Sequence, residues 1–312
     1  MRLPTQFSVI LMLLGALSSR SSPQDLAPRA YLITPNHTNI VTLTYSYDNG
    51  NILLDGALPI TGATASVNAG ILNYYHSLNF FGRSANLLVV LPYGVGDFAG
   101  QVVGTEKSAY RSGLMDSECR FSVNLAGGPT MSAAQMKSWK QKILLGLSLR
   151  IVAPTGQYDQ TRVINWSGNR WAFKPEFGYS QRWGKWVLDG YAGVWFYTTN
   201  PVYFSHNLFY PGTRSQSQNP MGALEGHLSY DVRQRLWMSI DGNFWYGGAT
   251  GLNGVFNPDT RQTSSRVGAT FSFPITKHQS IKLSYSDGAY ARFGGNYQNV
   301  SVAWQYYWLG NP

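Results

Sequence analysis

From Asn299 to Trp308 the chain alternates: Val300, Val302, Trp304, Tyr306 and Trp308 fall on one face, and Asn299, Ser301, Ala303 and Gln305 on the other. A repeat of two is that of an extended strand, whose successive side chains point to opposite faces. A helix would scatter the same residues around its circumference. The pattern returns along the chain. Leu236, Met238, Ile240, Phe244 and Tyr246 alternate with Ser239, Asp241 and Asn243, and Val267, Ala269, Phe271 and Phe273 with Arg266, Thr270 and Ser272. Ile143, Leu145, Leu147, Leu149 and Ile151 alternate with Lys142, Ser148 and Arg150, and Phe173, Phe177 and Tyr179 with Lys174, Glu176 and Ser180. Each run has about ten residues, the length of a tilted strand crossing a bilayer.

Composition says what the apolar faces meet. Only 12% of the residues are charged, half the usual share of roughly 25%. The aromatic count is high, with 20 Tyr, 15 Phe and 10 Trp. A soluble β-sandwich would turn polar faces outward on shorter, evenly spaced strands. A helical membrane protein would need apolar runs of about 18 residues, and the longest mostly apolar stretch is Phe7–Leu17. An all-β fold, an antiparallel transmembrane β-barrel, reconciles these facts by setting one face on lipid and the other in a polar lumen. Its expected location is the outer membrane of a Gram-negative bacterium.

The alternation predicts twelve strands, at 40–47, 67–78, 83–93, 114–125, 142–153, 171–183, 186–198, 221–230, 236–246, 266–273, 279–285 and 299–308. Short turns alternate with long Gly/Asn/Ser-rich loops at 48–66, 94–113, 154–170, 199–220, 247–265 and 286–298. Bacterial barrels place the short turns in the periplasm. One longer connection on that side, 126–141, carries a helix signal where Pro129 and Ser132 precede Ala133–Lys142. Arg2, the apolar stretch and the small residues after it read as a signal peptide over 1–22, leaving 23–312 for the barrel.

Chemistry is sparse. Cys119 is the lone cysteine, so there is neither an intrachain disulfide nor a multi-cysteine metal site. His37, His76, His206, His227 and His278 are mutually distant in sequence, and no phosphate-binding loop occurs, so no metal or cofactor is expected. The net charge of +9 is scattered without a basic run, which suits rim contacts to membrane lipid and lipopolysaccharide and argues against nucleic acid. An outer-membrane phospholipase would need a Ser–His pair, and His76, expected to face lipid between Tyr74 and Leu78, has no serine partner in the pattern.

The inward positions carry the function-bearing residues: Arg120, Asn124, Arg150, Lys174, Glu176, Arg182, Asp189, Tyr191, Glu225, His227, Asp241, Asn243 and Lys282. Charges of both signs can line a selective pore or pair into a plug. A turn over Asp231–Arg235 would place Glu225 directly opposite Asp241, beside His227 and within reach of Arg150 or Lys282.

The segments Ala153-Pro154-Thr155-Gly156-Gln157-Tyr158-Asp159, Phe173-Lys174-Pro175-Glu176-Phe177-Gly178-Tyr179-Ser180 and Phe293-Gly294-Gly295-Asn296-Tyr297-Gln298-Asn299-Val300-Ser301-Val302-Ala303-Trp304-Gln305-Tyr306 resemble the family named for the MetA-pathway of phenol degradation. The resemblance covers about Gln24 to Gly310. It implies an outer-membrane transporter barrel passing aromatic or other hydrophobic compounds, and it carries over no binding residue. The expected function is a channel or passive transporter for small compounds. The competing expectation is a closed-lumen barrel whose loops interact at the surface, and an enzyme is not expected.

Overall fold

The computed structural model describes residues 26–53, 60–102, 104–207 and 210–310, so the signal peptide expected over 1–22 lies outside the described residues. The strands are β1 (Thr38–Leu53), β2 (Ile60–Phe80), β3 (Arg83–Val102), β4 (Thr105–Leu114), β5 (Ser117–Ala126), β6 (Ile143–Ala153), β7 (Ala172–Trp183) and β8 (Trp186–Tyr197). They continue as β9 (Gln216–Gln218), β10 (Met221–Arg233), β11 (Leu236–Gly247), β12 (Thr250–Leu252), β13 (Val255–Phe256), β14 (Gln262–Pro274), β15 (Gln279–Ala291) and β16 (Gly294–Leu309).

β1 pairs with β16 and β2 with β3, so the antiparallel sheet closes and leaves no edge in the bilayer. β4 and β5 lie end to end against β3 and form one wall strand, interrupted at Met115–Asp116. The barrel therefore has twelve strands, as the alternation predicts. Its short turns use left-handed backbone where two-residue hairpins require it, with φ of 49° at Phe81 and 79° at Gly82.

Outward apolar positions stay open, among them Leu43, Leu91, Val267 and Ile240, at 50–71% exposure. In water such a belt would be an aggregation surface; in a bilayer it is the solvated face. Trp304, Tyr306 and Trp308 sit in contact at the short-turn end of β16, with ring centroids 6.3 and 5.7 Å apart, and form part of an aromatic rim.

The stretches 48–66, 94–113 and 286–298 are not long loops, as expected, but largely strand. These hairpins rise beyond the apolar belt, where neither face is required to be apolar. The backbone ladder nevertheless continues, with Gln101 opposite Glu106 and Val102 opposite Thr105. Among the described residues, loops remain at 154–170, 199–207, 210–215 and 248–261, and β12 and β13 tie the last of these to β9. The helix signal near 133 yields one turn, α1 (Ala133–Met136), capped reciprocally by Ser132 and Gln135.

Residues 26–37, which carry no strand pattern, turn back from β1 into the barrel. Ile33 packs with Met131 and Leu144. Tyr31 reaches β6 and β7, Arg29 reaches Asp231 on β10, and Leu26 lies against Gly268 on β14. The segment crosses the lumen near its short-turn end.

Candidate functional site

The inward faces of β5 to β8, β10 and β11 hold a continuous polar network. Arg120, Asn124, Arg150, Lys174, Glu176, Asp189, Tyr191, Glu225, His227, Asp241 and Asn243 are buried, whereas Arg182 and Lys282 are half-buried. Strand register sets Arg120 opposite Arg150 and Arg150 opposite Lys174, three cations abreast. Like charges so placed repel, and carboxylates one step along the strands offset them. Glu118 lies 3.2 Å from Arg150, and Glu176 lies 3.4 Å from Arg120 and 2.7 Å from Lys174. The Lys174 ammonium also donates to Glu225 at 3.1 Å. Beyond it, the far oxygen of Glu225 is 3.8 Å from His227 Nε2, and His227 Nδ1 is 2.8 Å from Asp241. Asp241 accepts further hydrogen bonds from Ser239 and Thr270, at 3.1 and 2.8 Å.

Glu225 does not face Asp241, contrary to the register read from the sequence. The turn is Gln234–Arg235 rather than Asp231–Arg235, and a bulge between Asp231 and Arg233 takes up one residue of the difference, so Glu225 opposes Asn243 and His227 opposes Asp241. The two carboxylates are therefore separated by an imidazole, and Lys174, rather than Arg150 or Lys282, bridges Glu225 to the rest. The net shift is an even two residues, which leaves every side chain on its own face. Nothing in the alternation of Leu228, Tyr230 and Leu236 reports it.

The occupant of this network was not legible in the sequence. Tyr31 is 1% exposed, and its ring sits where Gly146 and Gly178 face each other across β6 and β7. A Cβ on either glycine would overlap that ring. The Tyr31 hydroxyl donates to Glu176 at 3.1 Å and shares a 2.9 Å hydrogen bond with Ser148. Arg120 lies over the ring with its Cζ 4.8 Å from the centroid, and Tyr191 packs beside it at 5.2 Å. The Tyr191 hydroxyl accepts from the Ala30 N–H at 3.0 Å, and Asp189 accepts from the Arg29 N–H at 3.2 Å. Thus Arg120, Glu176, Asp189 and Tyr191 all hold the N-terminal segment in place.

At the long-loop end, Trp166 folds inward over Gly94 and Gly96, its ring 6.1 Å from that of Phe98. Ile52, Ala65, Val67 and Tyr297 complete an apolar pocket there, with Asp48 and Asn165 as its polar rim. At the same end Arg214 lies 5.0–5.6 Å from the rings of Tyr203, Phe204 and Tyr210, which form an aromatic knot around it. Burial pushes the Tyr203 hydroxyl up to about 12, so it stays neutral in that knot.

Among the described residues neither His227 nor His76 is paired with a serine hydroxyl. His227 spends Nδ1 on Asp241, and no described hydroxyl bonds its Nε2. His76 Nδ1 is hydrogen-bonded to Asn39 on the outer wall. Among the described residues no group of His, Cys, Asp and Glu can hold a metal ion.

The family model for the MetA-pathway of phenol degradation matches residues 38–302, nearly the whole barrel. The chain belongs to this family. An outer-membrane channel of Pseudomonas putida F1 is similar to this member of the phenol-degradation family at a TM-score of 0.75 and 17% identity, covering 90% of this chain and 99% of that one. The β domain of the Bordetella autotransporter Brka is similar at a TM-score of 0.50 and 12% identity, covering 87% and 99%. Both likenesses are of fold. No curated protein matches. A closed barrel with an apolar outer belt is an outer-membrane protein, because only such a barrel satisfies every strand hydrogen bond in lipid.

Proposed function

We propose that this member of the family is a passive channel for small compounds, aromatic and other hydrophobic ones among them, whose lumen rests closed. The observation that carries the reading is Tyr31 seated between Gly146 and Gly178. A segment lodged by a ring, a few hydrogen bonds and one ion pair can leave, whereas a lumen filled by its own wall residues cannot. The apolar pocket beside Trp166 supports the solute class: it offers Phe98, Tyr297 and Val67 to a ring, and Asp48 or Asn165 to a hydroxyl. Membrane lipid and lipopolysaccharide surround the belt and rim as its other partners.

The charged lumen residues form the narrow part of the pore once Tyr31 withdraws. The test compares wild type with Tyr31→Ala in planar bilayers and measures phenol uptake into liposomes. Tyr31→Ala should raise single-channel conductance and the rate of phenol flux. The closed-lumen alternative draws on the same saturated ion pairs. A folded Tyr31→Ala protein that neither conducts nor passes phenol would favour it.

A further inference from the structure

A cavity of about 560 Å³ opens at the short-turn end, between the N-terminal segment and the turns that follow β7 and β10. Arg29, Arg182, Lys185, Arg233 and Arg235 line it, with Asp231 the acidic residue among its described lining. That carboxylate is shared, 2.7 Å from Arg29 Nη1 and also bound to Arg182. Arg235 donates to the carbonyls of Thr276, Lys277 and Gln279, and Lys185 to that of Val232. Carbonyls satisfy donors without neutralising charge, so the cavity remains strongly positive.

The decisive residue is Arg29. Its side chain is 9% exposed, and its Nε and Nη2 have no hydrogen-bond partner among the described residues. The Trp237 ring, 4.4 Å from Cζ, covers the face of the guanidinium and leaves the edge donors unmet. A buried cation with open donors is costly. Nε and Nη2 form the side-on edge of the guanidinium, whose parallel N–H groups match two oxygens of a carboxylate or phosphate.

We infer that the short-turn mouth binds a small carboxylate- or phosphate-bearing anion, held by the open edge of Arg29 and by Arg182 and Arg233 across the cavity. Arg29 belongs to the N-terminal segment and the other two to the wall. The anion is thus a further link between segment and barrel. The site does not depend on whether the lumen conducts.

Calorimetric titration of the folded, detergent-solubilised full chain tests this, with inorganic phosphate and succinate as separate probes. Saturable binding of at least one is expected. Binding of phosphate alone, succinate alone or both assigns the oxyanion. Arg29→Gln should weaken it about tenfold, the loss of a charge-assisted hydrogen bond. Arg233→Gln, which leaves the segment's contacts intact, should weaken it severalfold, and Lys277→Gln, outside the cavity lining, should leave it unchanged. The absence of saturable binding of either probe would overturn the site, as would unaltered affinity in Arg233→Gln.

Discussion

Gly146 and Gly178 are small because a side chain from elsewhere occupies the space a Cβ would fill. In a strand, alanine is otherwise at least as favourable as glycine. Gly178→Ala should therefore leave the barrel folded while unseating Tyr31, and raise single-channel conductance relative to wild type. Gly190→Ala, on the neighbouring strand with nothing within 4 Å of its added Cβ, should conduct like wild type. Equal conductance in both variants would show that the ring is not the obstruction. Lys174 poses a different residue-scale problem, since one ammonium serves Glu176 and Glu225 while 1% exposed. Breaking a buried ion pair from one side costs about 3–5 kcal/mol. Lys174→Met should lose stability on that scale in urea titrations of vesicle-embedded protein. Adding Glu225→Gln should recover part of the loss, because it removes one of the stranded charges.

At the scale of the element, the β10–β11 hairpin separates what alternation reports from what it does not. Ile240, 71% exposed, and Leu228 opposite it both face outward, as the repeat of two requires. Ile240→Arg should cost about 2–4 kcal/mol in lipid, the measured range for a basic residue near the midplane of a barrel. A urea midpoint in vesicles equal to that of Ile240→Ala would mean that this position does not meet hydrocarbon. Ser239, on the other face, bonds Asp241 and is 4% exposed, so it is not a spacious lumen position. The pairing partners of this hairpin escaped the sequence reading although its faces did not. A slip by one residue would invert every face and be visible at once. The shorter turn and the bulge instead move the register by a net two residues, which keeps each side chain on its own side and changes only what it meets.

For the whole molecule, orientation follows from the alternation of short turns and tall hairpins. A hydrophilic tag at Gly254, in the β12–β13 hairpin, should be labelled on intact cells, and one at Lys277, in the β14–β15 turn, only after permeabilisation. The reverse pattern would invert the barrel. Strand number and the alternation of faces within the bilayer were legible in the sequence, because each side of a strand is selected by the medium it touches. Lipid demands apolar residues and the lumen accepts polar ones, locally and at every second position. That demand lapses above the bilayer, which is why β3 and β4 could be read as loop. It also says nothing about residues 26–37, whose Tyr31 finds Ser148 and Glu176 at separations of 117 and 145 residues. The sequence by itself determined a twelve-stranded barrel with alternating faces. Only the tertiary structure decided which inward charges pair and what fills the space between them, because those contacts are made across the lumen by parts of the chain that share no local pattern.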